Sequence, residues 1–387
     1  MKTALIALPA TERLIDPPLS LAYLATLLEQ RHHIVRIYDL GLEPQLNLEQ
    51  LLQPLRSFRP GLVIVAGEQP DLLVSALSAL PRDTVSGVLS VAMQRSGQDT
   101  LHLCSGVLQW LDQQRNGTAL TTQLSLDRLP LPARHLLPLE RYNLRAVGGA
   151  LQTTLIVGAI EHDGRFVLRQ PAAIVAELRR ISHEFGLRHY RIPEPALTID
   201  RPWLDEFLAQ LVDAQLGIGW EASVQAEALD AELLRQMARA GCENLCFQLD
   251  SASLFDAFGR LQLRLRQAVT SAHRYGIFAH ARLRLEPPYE AIPHLVDVAA
   301  TFGLDAVRFE VVHTRPLDGE PTASQLQRMA SQIYDRRRDR QRFEQQFGPL
   351  IGALLWYARA LRGPSPCDEM PIEPETAGQG VALQKRW

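Results

Sequence analysis

Long apolar runs, cysteine and an excess of charge of either sign are what this 387-residue sequence lacks. No window approaches the ~18 consecutive apolar residues that a membrane-crossing helix needs. The opening MKTALIALPATER is too short an apolar run for a secretory leader. Four cysteines, of which only Cys242 and Cys246 are near neighbours, cannot make the disulfide framework of a secreted domain, and they fit a reducing compartment. A formal net charge of −3, from 40 basic and 43 acidic residues, argues against a broad nucleic-acid surface. There is neither a phosphate-loop glycine signature nor a nucleophile elbow. The histidines show no ligand spacing with carboxylates, so no metal site is expected. These absences lead us to expect a cytoplasmic protein without membrane or nucleic-acid partners.

What is present is an ordinary globular composition, 46% hydrophobic and 21% charged, in a chain long enough for two domains. Residues 3–8, 34–38, 62–66 and 88–92 read as strands, and helical patterns separate the first three. This is a doubly wound start, in which ligands lie at the carboxyl ends of strands. Those ends place Pro9, Asp39, Gly67 and Glu68 as candidate cofactor-binding residues. A second series of six βα repeats begins near Leu151, with one strand expected over residues 151–160. Its centre is GIGWEASVQAEALDAELLRQMARAGCENLCFQLDSAS (residues 217–253), which reads strand, helix, strand. Asp230 is the expected N-cap of that helix and Gly241 its terminating glycine. Two strands joined by such a helix make a parallel βαβ unit. Six repeats suggest a partial (β/α) barrel rather than a closed eight-stranded one. Residues 321–362 read as helices. Their apolar stripe, Leu350, Leu354, Leu355, Tyr357 and Leu361, is expected to cap the barrel, with partner docking as the alternative.

Several segments carry a family likeness. PPLSLAYLATLLEQRHHIVRIYDL (residues 17–40) resembles the opening of the cobalamin-binding domain in cobalamin-dependent radical S-adenosylmethionine proteins. LDRLPLPARHLLPLERY (residues 126–142) resembles their interdomain linker. The stretch from LRQPAAIVAELRRISHEFG to LDEFLAQL is similar to the first helix, second strand and second helix of their catalytic barrel, and the WEASVQAEALDAELLRQMARAGCENLCFQLDSAS segment resembles its third and fourth strands. The resemblance implies an α/β chain organised as a Rossmann-like, cobalamin-binding-like domain (1–115), a linker (116–145), a radical-SAM-like (β/α)6 barrel (146–320), C-terminal helices (321–362) and a loose tail (363–387). It also implies cobalamin and S-adenosylmethionine as the cofactors to consider.

The departures from that family decide the functional reading. Its reaction needs an iron–sulfur cluster on three thiolates spaced C-x3-C-x2-C after the first barrel strand. Here that place reads LQTTLIVGAIEHDGRFVLR, without cysteine. Cys242 and Cys246 have the first spacing, but they fall on opposite sides of a helix-to-strand turn and the next ligand position is Leu249. An iron–sulfur cluster is therefore expected to be absent. Gln248-Leu249-Asp250-Ser251 stands where the family has Gly-x-Glu-Ser, and Glu194 matches its acidic residue after the second strand. Leu285-Glu286-Pro287-Pro288 replaces a glycine-rich turn. In the first domain, Val91-Ala92-Met93-Gln94 replaces a glycine pair that makes room for a corrin.

Alternation along the barrel strands puts Arg191, Glu221, Gln248, Asp250, His280, Arg282, Arg284, Arg308 and Glu310 on the inward face, opposite leucines, valines and alanines. Buried isolated charges are costly, so these residues must pair, meet water or hold a ligand. Three readings stay open. The pairs plug the hollow, the arginines bind a phosphate or carboxylate, or S-adenosylmethionine binding persists without radical cleavage. The expected function is that of an accessory protein or pseudoenzyme partnering a catalytically active radical SAM protein or another pathway enzyme. The alternative is a non-radical S-adenosylmethionine- or corrinoid-dependent methyltransferase that uses the interdomain cleft.

Overall fold

The computed structural model describes all residues except 10–15, 44–47, 68–72, 74–87, 93–99, 117–125, 143, 147–148, 161–164, 194, 199, 251–259, 287–288, 312–321 and 362–387. Glu68, Glu194, the 363–387 tail and the glycine-poor turns at 93–94 and 287–288 therefore lie outside the described residues. The chain divides into two compact units, Met1–Ala196 with Pro202–Gly219, and Leu197–Arg201 with Trp220–Trp387.

The first unit opens with four parallel strands: β1 (Lys2–Ala7), β2 (Ile34–Asp39), β3 (Leu62–Gly67) and β4 (Val88–Ala92). Their order is β2-β1-β3-β4. The connections reverse direction between β1 and β3, so the crevice beyond their carboxyl ends is the switch point of a doubly wound sheet. Helices α1 (Leu19–Gln30), α2 (Leu48–Phe58) and α3 (Thr100–Asn116) complete this part. On one side of the sheet, Ala4, Ile6, Val63 and Val65 pack with Leu55 and Phe58 of α2. Helix α1 is buried nearly all round, from Leu19 to Ala25 and at Leu28, as its uniformly apolar sequence requires. Residues 126–142 cross it as three single turns of 3-10 helix. Thr26 Oγ1 donates to the Leu131 carbonyl (2.8 Å), and Ala133 N donates to the Ala22 carbonyl (2.9 Å).

The single strand expected over residues 151–160 is two. β5 (Gln152–Thr154) pairs in parallel with β8 (His189–Ile192), whereas β6 (Gly158–Ile160) forms an antiparallel hairpin with β7 (Phe166–Leu168). The cause is local. Arg169 Nη1 donates to the Ile156 carbonyl (2.8 Å) and Arg169 N to the Val157 carbonyl (2.8 Å), which turns the chain away from the first sheet direction. Gly158 permits this, since a Cβ there would run into the Phe166 ring. Helices α4 (Pro171–Phe185) and α5 (Arg201–Ala214) follow, and Gly186 ends α4 at φ +67°.

The second unit holds β9 (Gly219–Val224, from Trp220 on), α6 (Ala231–Arg239), β10 (Cys242–Asp250), α7 (Arg260–Arg274), β11 (Phe278–Leu285), α8 (Ile292–Ala300) and β12 (Ala306–Val311). Asp230 caps α6 as its sequence predicts, its carboxylate accepting from Leu233 N at 2.7 Å. Gly241 follows the helix at φ +90°. The strands of the second sheet run β12-β11-β10-β9-β8-β5, and the pairs β5–β8, β9–β10, β10–β11 and β11–β12 are parallel. Six strands in sequential order with crossover helices make the expected partial (β/α)6 barrel. Cys242 and Cys246 do not flank a turn as expected: both belong to β10, where the pairing with β9 starts at Cys242 and shifts register before Asn244.

Two helices end the described chain, α9 (Ala323–Phe347) and α10 (Pro349–Leu361). A capping box of Thr322 and Gln325 starts α9. The expectation that α10 caps the barrel is overturned. Leu350, Ile351, Leu354 and Leu355 are exposed, and α10 packs on α9 through its opposite, small-residue face.

Candidate functional site

At the carboxyl ends of β5 and β8 three side chains meet, those of Asp16, Thr154 and Arg191. Thr154 is the last residue of β5 and is the register partner of Arg191 in β8. The backbone pairing continues one step further, Leu155 N donating to the Arg191 carbonyl at 2.9 Å. Asp16, from the loop that precedes α1, reaches both. Its Oδ1 accepts from Thr154 Oγ1 (2.9 Å) and Arg191 Nη1 (3.1 Å), and its Oδ2 accepts from the same Nη1 (3.0 Å). Arg191 is almost fully buried and Asp16 largely so. The segment that follows, Leu155–Val157, is buried and leads straight into the β6–β7 hairpin. Among the described residues the cysteines lie elsewhere: Cys104 on α3, Cys242 and Cys246 on β10, all buried and none in a disulfide. Burial pushes the Cys104 and Cys242 thiols upward, away from the thiolate form.

Behind this point lies a charged cluster that sequence reasoning missed. Glu177 of α4 is 1% exposed and takes hydrogen bonds from Arg169 Nη1 (2.7 Å), Arg134 Nη2 (3.2 Å) and the Tyr23 hydroxyl (3.4 Å). Arg134 also donates to Thr153 Oγ1 (3.1 Å) and to the Thr154 carbonyl (2.9 Å). One linker arginine thus holds β5, α4 and, through Tyr23, α1. Burial alone would raise the Glu177 carboxyl, but the two guanidiniums outweigh it and hold it below its ordinary value. Burial, reinforced by the Glu177 charge, raises the Tyr23 hydroxyl, so it stays a donor. The available signal was an acid set among Ile174, Leu178 and Ile181 on the apolar face of α4.

In the second unit the alternation is as read from sequence. Asn244, Cys246, Gln248 and Asp250 of β10 share a face with His280, Arg282 and Arg284 of β11 and with Arg308 and Glu310 of β12. Near the amino ends of the strands, Glu221 Oε2 accepts from Asn244 Nδ2 (2.8 Å), and Asn244 Oδ1 lies 2.8 Å from His280 Nδ1. A carboxylate can only accept, so the amide must turn its oxygen to the histidine, and the His280 proton belongs on Nδ1. Further along, Gln248 Nε2 lies 3.5 Å from Ser223 Oγ, and Arg282 pairs with Glu310 at 3.7 Å. At the carboxyl edge, Asp250, Arg284 and Glu310 are register partners, an acid–base–acid row across three strands. Arg284 also pairs with Glu286 (3.4 Å), both well exposed. Among the described residues at this edge, Arg282 thus pairs with Glu310 and Arg284 with Glu286. Gln248 and Arg284 are exposed, while Glu221 and Arg282 are buried.

The described first-domain candidates lie at the ends of β1, β2 and β3. Pro9 is exposed beyond β1. Asp39 spends one carboxylate oxygen on Gly41 N (2.9 Å) and the other on the Tyr142 hydroxyl (3.0 Å). Gly67 sits at the switch point, but its open side is filled from within: a Cβ there would lie 2.5 Å from Leu8 Cβ. Among the described residues no group of three His, Cys, Asp or Glu converges as a metal site, and no helix is long and apolar enough to cross a membrane.

No family model matches the sequence. An uncharacterized methyltransferase of Pyrococcus horikoshii, PH0819, is 20% identical over 372 residues, 81% of each chain. The radical S-adenosylmethionine methyltransferase TsrM of Kitasatospora setae, solved with cobalamin and a [4Fe-4S] cluster bound, matches with a TM-score of 0.58 at 13% identity, over 80% of this chain and 74% of TsrM. The cobalamin-dependent S-adenosylmethionine radical enzyme OxsB matches with a TM-score of 0.53 at 13% identity over 89% of this chain, which spans 56% of OxsB. The chain shares its fold with TsrM and OxsB.

Proposed function

We propose that this protein acts without a cluster-bound radical step, as an accessory partner of a catalytically active radical S-adenosylmethionine protein or of another enzyme in a biosynthetic or modification pathway. The observation that carries the proposal is the carboxyl end of β5. A [4Fe-4S] cluster needs thiolate donors there, and residues 151–170 contain no cysteine. Asp16, Thr154 and Arg191 form a closed hydrogen-bonded set in the same place. The nearest pair of thiols in sequence, Cys242 and Cys246, is buried in β10 of the second unit, and burial pushes the Cys242 thiol upward, away from the thiolate form. The residues present do not fit the cluster.

Two further observations support a scaffold role. Among the described residues, Arg282 and Arg284 at the strand ends are each paired with a carboxylate, as in a plug. The glycine at the switch point makes room for Leu8 rather than for a ligand. A second reading, polar methyl transfer with S-adenosylmethionine or a corrinoid, is favoured by one fact, the methyltransferase fold shared with TsrM. Anaerobically reconstituted protein given S-adenosylmethionine and a reductant is expected to release no 5′-deoxyadenosine; its stoichiometric release refutes the proposal. Calorimetric titration with S-adenosylmethionine and hydroxocobalamin then divides the two readings. Silence with both ligands supports the partner role, and saturable heat with either supports methyl transfer.

A further inference from the structure

The exposed face of α10 has no counterpart within the described chain. Leu350 is 81% exposed, Leu354 69% and Ile351 59%, and Leu355 and the neighbouring Phe347 of α9 are exposed as well. The helix lies on α9 with its small side inward. A Cβ at Gly352 would collide with the Phe343 carbonyl and the Glu344 backbone, so only glycine allows so close an approach. The larger apolar residues are thereby turned outward. The exposed positions, 350, 351, 354 and 355, repeat at four residues and so share one face of the helix.

The surroundings of this face narrow down what can cover it. Helix α10 carries one charged residue, Arg359. Of the charges of α9 nearby, Arg337 pairs with Asp297 (2.7 Å), and Arg340 pairs with Glu344 (2.7 Å) and lies over the Trp356 ring (6.0 Å). An uncharged stripe selects neither an acidic nor a basic partner, and it meets a copy of itself without like-charge repulsion. The five exposed side chains amount to roughly 500 Å² per copy. An isologous pair would then bury about 1,000 Å², the lower bound for a specific interface. A patch of several hundred Å² is also at the upper end of what a monomer leaves uncovered.

We infer that α10 is a self-association surface, and that the chain forms a two-fold symmetric dimer in which two α10 helices pack antiparallel across their Leu350–Leu354 faces. Leu354 lies near the middle of the helix, so the two-fold axis brings both copies of it together. Sedimentation velocity of the full chain at 1–50 µM (about the range over which such an interface assembles) is the test. A concentration-dependent dimer is expected, and the L350E/L354E double variant is expected to stay monomeric at the top concentration with an unchanged circular dichroism spectrum, both side chains being exposed. In a C367S background, L354C is expected to cross-link to itself on mild oxidation in more than half of the chains, and L263C, exposed on α7, is not. A monomeric wild type, or a dimer that survives the double substitution, overturns the inference. Co-sedimentation of monomer with neutral phospholipid vesicles would assign the face to lipid and overturns it too.

Discussion

Replacing Glu177 by glutamine tests how the first unit is held together. The wild-type carboxylate sits between two guanidiniums that are 2% and 4% exposed. Glutamine is nearly isosteric, but it turns one oxygen into an N–H donor that faces other donors and leaves two buried positive charges without a counter-ion. The Nε atoms of Arg134 and Arg169 already lack hydrogen-bond partners, so neither residue has slack to give. Breaking a buried pair by removing one partner costs about 3–5 kcal/mol. For a unit of roughly 200 residues each kcal/mol lowers Tm by about 2–4 °C, so a fall of about 6–20 °C is expected. Urea unfolding followed by circular dichroism reads the change as a lower midpoint at constant slope. The control is E184Q, which breaks an exposed pair with Arg180 and should cost under ~0.5 kcal/mol. A loss below ~1 kcal/mol in E177Q would refute the claim that this cluster joins the linker, α1, α4 and β5. The triple replacement R134M/E177L/R169M, which removes all three charges, should recover most of the loss.

The remaining predictions concern acid stability, the switch point and the strand relay. Because the Glu177 carboxyl is held below its ordinary value, its contribution is complete above about pH 4.3 and is lost as pH falls through the lower native value; E177Q should flatten that acid limb of the stability curve. Gly67→Ala drives a Cβ into Leu8 and should cost about 1–3 kcal/mol in urea unfolding, with L8A in the same chain restoring part of it; no change would show that Leu8 moves aside freely. Asn244→Leu removes one partner each from Glu221 and His280 and should cost about 1–3 kcal/mol, and the His280 ring resonances should lose their fixed-tautomer signature by NMR; an unchanged spectrum would contradict the relay.

The elements that could be read from the sequence were those with a strong local signal. The Asp230 cap, the Gly186 and Gly241 helix ends and the apolar alternation of β10, β11 and β12 all report short-range physics, and these fix a parallel barrel. The face assignment of Arg282, Arg308 and Glu310 followed from the same alternation. The split of residues 151–160 did not, because it depends on Arg169 binding carbonyls 12 and 13 residues back, at Val157 and Ile156. The Asp16–Arg191 and Arg134–Glu177 pairs were hidden for the same reason: they join residues 175 and 43 positions apart, and sequence spacing carries no trace of such contacts. The α10 stripe was visible as apolar, but whether a stripe faces inward depends on its neighbour. Here the tight approach at Gly352 decided the matter.

The most direct measurement of the central claim is iron and acid-labile sulfide per chain after anaerobic reconstitution and desalting. The Asp16–Thr154–Arg191 closure predicts a colourless protein with neither element above the level of a denatured control. Brown protein carrying iron and sulfide in the ratio of a [4Fe-4S] cluster would contradict it.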